Sequence, residues 1–325
     1  MNATSIKDIS ASVSSELEQF DGYLREQMRS KAALLDTVIR YILRQRGKRV
    51  RPALVFLAAG ACGGISDRAY IGAAMVELLH TATLVHDDVV DDSNYRRGFF
   101  SVNALWKNKI AVLVGDYLLS RGLLLSVDNK DFTLLQLVSN AVREMSEGEL
   151  LQLAKARRLD ITEEVYFQII RQKTASLIAS CCAVGAQSAG ATEDLVEKMR
   201  EFGEKVGLAF QIKDDLFDFG DAEVGKPLGI DIKEKKMTLP LIHALSQSSW
   251  STKRHIINLI KNHSDKPQKV AEVIKFVRES GGIQYATQAM QRLVDEAKVI
   301  LHSFPESAYR NSLEGLVQFT IERNK

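Results

Sequence analysis

Cysteine is nearly missing from this chain. Among 325 residues it occurs only as Cys62, Cys181 and Cys182, too few and too irregularly spaced for a disulfide framework or a zinc site. The adjacent pair Cys181–Cys182 lies in small, apolar sequence and is expected to be buried free thiol. Proline is almost as scarce: five residues, with none between positions 53 and 226, a stretch of 174. Because proline is the strongest helix breaker, that gap permits long uninterrupted helices. An excess of one charge is absent too. Forty-three Lys and Arg nearly balance 41 Asp and Glu, for a net +2. A dedicated nucleic-acid binder would carry a strong basic excess, so nucleic acid is not an expected partner. The N-terminal MNATSIKDISASVSSELEQF lacks the apolar core of a secretory signal. No uninterrupted apolar run approaches the ~18 residues that span a bilayer. A cytoplasmic protein is the expectation.

What the chain does have is helical periodicity. Apolar residues recur at spacings of three and four near 67–88, 103–127, 131–157, 162–190 and 194–219. No stretch alternates every second residue between hairpin turn signals. Breaks fall at Gly63-Gly64, at Asp128–Asp131, at Leu159-Asp160 and at Gly190-Ala191-Thr192. Several helices are apolar on more than one face, as in AVLVGDYLLSRGLLLSV, which suits a central helix of a large bundle. Gly220–Pro240 reads as a long loop, a kind of segment that is often functional. With no repeat, low-complexity tract or linker, the reading is one all-α domain over 1–325.

Two carboxylate clusters punctuate those helices: DDVVD at Asp87–Asp91 and DDLFD at Asp214–Asp218. Each places aspartates at i, i+1 and i+4, so two share one helix face. Like charges at that spacing cost about 0.2–0.5 kcal/mol per pair, and a folding argument alone would not choose them. Hard divalent cations would, because Mg2+ takes carboxylate oxygens and leaves positions for substrate phosphates. The two clusters together suit a metal-bridged diphosphate site.

Cations are dense nearby. Gly47–Pro52 carries Lys48, Arg49 and Arg51; Arg96-Arg97 follow the first cluster; Lys226 and Lys236 follow the second. Arginine binds phosphate bidentately and lysine binds it as a mobile point charge. Neutralising the neighbouring acids is the plainer alternative for either basic group alone. His80 stands seven residues before Asp87, two helical turns, and suits a satisfied core histidine or a ligand-binding one equally. Lys173-Thr174 interrupts an apolar helix, as a partnered buried lysine or a surface one. Gln211 shares the face of Asp214.

In these residues the chain resembles the trans-isoprenyl diphosphate synthases, or polyprenyl synthetase family. The likeness runs from GKRVRP through ELLHTATLVHDDVVDDSNYRRG, GDYLLSR, EGELLQL, KTASL and GLAFQIKDDLFDFGD to KKMTLPL. Within the family it looks closest to bacterial medium- and long-chain synthases of quinone side chains. The resemblance implies a homodimer of all-α subunits, each a bundle of ten or so helices around a deep central cavity (the isoprenoid synthase fold). It implies Mg2+-dependent head-to-tail condensation of isopentenyl diphosphate with an allylic diphosphate, about three ions being bound with substrate. Carried over by motif, Asp87, Asp91 and Asp214 are the leading Mg2+ ligands, supported by Asp88, Asp215 and Asp218. Lys48, Arg51, His80 and Arg97 would hold isopentenyl diphosphate. Arg96, Lys173, Thr174, Gln211, Lys226 and Lys236 would hold the allylic diphosphate, with Thr174 and Gln211 placing oxygen dipoles near the allylic cation.

Short-chain members carry an aromatic floor four or five residues before the first cluster, where this chain has Thr83 and Ala82. Val76, Leu79, Leu119 and Leu123 add no aromatic plug. A product longer than about twenty carbons, in the range of about 30–50, follows from that steric argument. Membrane contact is expected to be at most peripheral, for product release. A shorter-chain geranylgeranyl synthase is the alternative. A class I terpene cyclase is a more distant one, since it would carry a mixed Asn/Ser/Glu second motif and need no isopentenyl site. Lys213 stands where many relatives have an apolar residue; it could reach a diphosphate, compete with a metal or face solvent.

Overall fold

The structure, a computed structural model, describes residues 9–45, 47, 49–96, 98–156, 159–220 and 228–322. The all-α expectation holds: among the described residues the only strands are one two-residue hairpin, Tyr95–Arg96 (β1) with Phe99–Phe100 (β2). The helices gather into two compact units.

The first unit comprises Met1–Val142, Ser180–Arg200 and His302–Leu316. It opens with α1 (Ser14–Met28), α2 (Ala33–Arg44), α3 (Val50–Cys62), α4 (Asp67–Val90) and α5 (Val102–Asp128), the hairpin lying between α4 and α5. Helix α4 is buried on several sides, with Ala73, Ala74, Met75, Val76, Leu78, Leu79 and Ala82 at 2% exposure or less. That explains its lack of a polar face. Both α3 and α5 pack against it. A Cβ on Gly122 of α5 would stand 3.2 Å from Leu79, so this glycine sets how closely α4 and α5 approach. Helix α5 has two apolar faces. Val114, Leu118 and Leu125 are buried, whereas Val112, Leu113, Leu123, Leu124 and Val127 are exposed. By length and hydropathy α5 could cross a membrane, although Asp116 and Arg121 interrupt it and its inner face is packed.

The second unit comprises Arg143–Ala179, Glu201–Leu301 and Val317–Lys325. Its residues come from α6 (Phe132–Ala156), α7 (Glu163–Ile170), a π turn (Arg171–Ala175), α8 (Ser176–Ser188), α9 (Glu193–Phe217), α10 (Ile230–Lys233), α11 (Leu239–Ser246), α12 (Trp250–His263), α13 (Pro267–Glu279), α14 (Gly282–Leu301) and α15 (Ala308–Glu322). Helix α11 packs on α14, where the rings of His243 and Tyr285 stack at 3.9 Å and Tyr285 Oη donates to Glu163 at 2.6 Å.

Two sequence expectations need correction here. The segment 162–190 is helical almost throughout, but it slips into π geometry at Arg171–Ala175, which periodicity does not reveal. The loop expected over Gly220–Pro240 contains α10, and Pro240 falls in the first turn of α11, where a missing N–H breaks no helical bond.

Two glycines grip the π turn. A Cβ at Gly148 of α6 would lie 2.8 Å from the Lys173 backbone nitrogen; one at Gly207 of α9 would lie 2.6 Å from the backbone α-carbon of Ala175. Both clashes would be with backbone, which has nowhere to go. Gly207→Ala should therefore cost about 1–3 kcal/mol through overpacking, read as a lower urea midpoint; an unchanged midpoint would show that the turn is not clamped.

Candidate active site

Both aspartate clusters fall at the carboxyl ends of long helices. Asp87 and Asp88 occupy the last turn of α4, and Asp91 is its C-cap, donating its N–H to Asp87 O at 2.8 Å. Asp214 and Asp215 occupy the last turn of α9, with Asp218 just beyond. A helix carboxyl end carries about half a negative charge, so each carboxylate there is disfavoured by about 0.3–1 kcal/mol. The arrangement becomes favourable only when cations arrive. Asp92 completes the ending of α4: at φ +49° it turns the chain left-handed, and Ser93 N–H donates back to Asp88 O at 3.0 Å.

In the first unit, Arg96 Nε donates to Asp88 Oδ1 at 2.6 Å, with Asp88 buried. The hairpin that carries Arg96 is pinned on both sides. Phe100 O accepts from Tyr41 Oη at 2.7 Å and from Gln45 Nε2 at 3.2 Å, and Ser101 Oγ donates to Ser93 O at 2.6 Å. Asn103 Nδ2 donates to Asp88 O at 3.1 Å. His80, Asp88 and Arg96 line a cleft of about 120 Å3, together with Arg49, Asp21 and Glu77. His80 is buried there. Arg51 is half-buried and is not among the residues lining this cleft; its Nε has no hydrogen-bond partner among the described residues. Lys48 and Arg97 lie outside the described residues. Asp87 and Asp91 are exposed, Thr83 is half-buried, and Ala82 is buried.

In the second unit, a cleft of about 390 Å3 gathers Lys173, Thr174, Gln211, Asp214, Asp215, Asp218 and Lys236. Thr174 comes from the clamped π turn, a geometry common at functional sites. Its Oγ1 donates to Gln211 Oε1 at 2.9 Å, and Gln211 Nε2 donates to Asp215 Oδ1 at 2.9 Å. Gly207 sits one turn before Gln211 on α9, so the close approach it permits is what closes this chain of bonds. Lys173 pairs with Glu149 at 2.5 Å; Lys236 pairs with Glu234 at 2.5 Å and Asp231 at 3.7 Å. The ammonium of Lys213 lies over the Phe217 ring, 5.3 Å from its centroid. Lys226 lies outside the described residues.

Three of the six aspartates expected as metal ligands are otherwise engaged, Asp215 by Tyr166 and Gln211. Asp88 holds Arg96. Asp218 accepts the N–H groups of Ile230 at 2.7 Å and Asp231 at 3.2 Å, capping the start of α10. Among the described residues no group of three or more Asp, Glu, His or Cys side chains makes a ready-made metal cage. The donor set still fits a hard cation. Mg2+ is bound through one or two carboxylates and completes its shell with water and substrate phosphates, which is what Asp87 with Asp91, or Asp214, can offer.

Burial charges these groups reluctantly. The Asp88 carboxyl is pushed above its ordinary value by burial, with Arg96 opposing. Asp215 is pushed up to about 7 by burial and by the charges of Asp231 and Asp214, against the bonds from Tyr166 and Gln211. Asp231 is pushed up to about 6 by burial and the nearby Asp218. Burial works against the Lys236 ammonium, but Glu234 and Asp231 more than offset it and raise its pKa. For Asp215 the folded-state value lies above the unfolded one. Its stabilisation is therefore complete below about pH 4 and is lost as pH rises through about 7. Protein stripped of metal should resist urea better at pH 5 than at pH 8, and Asp215→Asn should flatten that difference; a variant with the full pH dependence would clear Asp215 of causing it.

Sequence reasoning missed several participants. Asp231 left a faint signal, standing five residues before Lys236 in GIDIKEKK. Glu149 and Gln152 lie in the EGELLQL segment, but nothing local ties them to Lys173, whose Nζ reaches Gln152 Oε1 at 3.5 Å. Tyr166, which donates to Asp215 Oδ2 at 2.6 Å, sits in apolar sequence that gives no warning. The pairing of Arg49, at φ +55°, with Asp21 on α1 also leaves no local trace.

Comparison with known proteins bears on the same residues. A polyprenyl synthetase family model matches residues 32–277. An all-trans-nonaprenyl-diphosphate synthase (geranyl-diphosphate specific) from Rhodobacter capsulatus is 40% identical over 320 residues, 98% of each chain. The crystal structure of a decaprenyl diphosphate synthase from Rhodobacter capsulatus superposes with a TM-score of 0.93 at 34% identity, covering 99% of this chain and 100% of that one. A polyprenyl synthase from Caulobacter crescentus CB15, complexed with calcium and isoprenyl diphosphate, gives 0.88 at 32% identity with both chains fully covered.

Proposed function

Because this chain belongs to the polyprenyl synthetase family and is a trans-polyprenyl diphosphate synthase, we propose that it makes an all-trans product of about 30–50 carbons. It would do so by repeated head-to-tail addition of isopentenyl diphosphate to farnesyl or geranylgeranyl diphosphate, in the cytoplasm, for quinone side chains. The observation that carries this reading is the placing of carboxylates on the negative ends of α4 and α9, which is unfavourable without a cation. The relatives named for nonaprenyl and decaprenyl products support the long-chain part.

Asp87, Asp91 and Asp214 are the residues that would hold Mg2+, which when bound supplies charge neutralisation to a leaving diphosphate. Arg96, Lys173, Lys226 and Lys236 take the allylic diphosphate oxygens; Lys48, Arg51, His80 and Arg97 take those of isopentenyl diphosphate. Held together, the substrates react as if within one molecule. The allylic C–O bond breaks, and its electron pair leaves with the diphosphate. The isopentenyl double bond attacks the resulting cation, and loss of a proton to the departing diphosphate restores an alkene. Gln211 Oε1, fixed by Thr174, offers a negative dipole while the positive charge lasts. Excluding water protects that cation.

Chain length follows from α4. Thr83 shares the face of Asp87 one turn earlier, Ala82 is small and buried, and the preceding turns bring Val76 and Leu79, with no aromatic floor. Purified protein given isopentenyl diphosphate, farnesyl or geranylgeranyl diphosphate and Mg2+ should yield products longer than about twenty carbons on chromatography. Products stopping there would sink the long-chain reading. Ala82→Phe should shorten them, and unshortened products would remove Ala82 from the wall.

A homodimer is proposed from the second apolar face of α5. Exposed Val112, Leu113, Leu123, Leu124 and Val127 share one face by helical spacing, broken midway by Asp116 and Ser120, and such an apolar face marks an interface. Sedimentation should show a dimer for the native chain and a monomer for Leu113→Asp with Leu124→Asp; a native monomer would refute the assignment.

A further inference from the structure

Surface arginines on this chain are commonly matched by a carboxylate: Arg143 by Glu147, Arg171 by Glu204, Arg200 by Glu197, Arg310 by Glu306. One groove of the first unit departs from that habit. Arg25, Arg29, Arg40 and Arg44, from α1, its C-cap and α2, line a concavity of about 410 Å3 with Ile39 and Leu43. Its one acid, Asp36, is taken by Arg40 at 3.0 Å. The guanidinium groups of Arg25, Arg29 and Arg44 have no hydrogen bond or ion pair among the described residues. Helix ends account for part of this, because Arg25 and Arg44 lie in the last turns of α1 and α2, where a cation is favourable. They do not account for four guanidinium groups sharing one concave surface, where like charges repel.

We propose that this groove binds the diphosphate group of an amphiphilic or inorganic diphosphate, without a divalent cation. Guanidinium forks match phosphate oxygens in pairs, and the half-buried Leu43 offers a small apolar surface beside them. The single carboxylate is already neutralised, so no metal is needed to bridge an anion to the protein. Arg25 and Leu43 also line the cleft that holds His80, Asp88 and Arg96. The groove and that cleft therefore share part of their wall, which would place a diphosphate held in the groove beside the cleft. The inference does not depend on the proposed product length or on the metal ligands.

The test is calorimetric titration of the full chain with inorganic diphosphate in EDTA at low salt, on the native protein and on the variant R25Q/R29Q/R44Q. All three side chains are exposed, so the variant should fold, and a native circular dichroism spectrum checks that. The expected result is at least about a tenfold loss of affinity, with R25K/R29K/R44K in between because it keeps charge but loses the fork. A second arm sediments the same proteins with phosphatidylglycerol or phosphatidylcholine vesicles. Loss of vesicle binding with diphosphate binding intact would overturn the soluble-diphosphate assignment and give the groove to a lipid phosphate. A folded triple variant that binds diphosphate like the native protein and sediments no differently would overturn the proposal outright.

Discussion

Negative charge placed where the helix backbone is already negative governs both halves of this molecule. Helices α4 and α9 each end in aspartates, and folding by itself would remove them from there. Nearly every polar arrangement nearby can be understood as a response. Arg96 leans on Asp88, backbone N–H groups converge on Asp218, and Tyr166 with Gln211 satisfies Asp215. These bonds restrain the charge of Asp88, Asp215 and Asp218.

The same logic applies to the cations. Arg96, Lys173 and Lys236 each rest on a carboxylate: Asp88, Glu149 and Glu234 with Asp231. An arginine or lysine reaching into a cleft unaccompanied would be poorly fixed and costly to desolvate. Resting on an acid keeps each side chain extended and oriented, and a diphosphate, with more charge than one carboxylate, can outcompete the acid or share the cation with it.

Much of the fold was legible in the sequence, for physical reasons. A long proline-free stretch with 3.6-residue periodicity leaves little choice but helices, and carboxylates at i and i+4 stand out because folding alone disfavours them. Other features escaped because their causes are distant in sequence. The π turn packs against Gly148 and Gly207 on two other helices, whose lack of a Cβ lets them come close. Helix α10, four residues long, leaves no periodic signal, and its cap, Asp218, lies 12 residues upstream of Ile230. The partners of Lys173 and Arg49 sit on other helices. The division of labour among the six aspartates was unreadable because their motifs are identical in type.

That last point bears on how the two motifs can change over evolutionary time. On paper DDVVD and DDLFD are interchangeable, yet their final residues answer to different selection. Asp91 is exposed and, among the described residues, its carboxylate accepts no N–H from distant backbone, so a longer acid such as glutamate fits in its place. Asp218 is buried and spans two amide groups at 2.7 and 3.2 Å. One extra methylene there would push the carboxylate through the start of α10, dragging Asp231 and Lys236 with it. Lineages should therefore drift at the end of the first motif while remaining frozen at the end of the second.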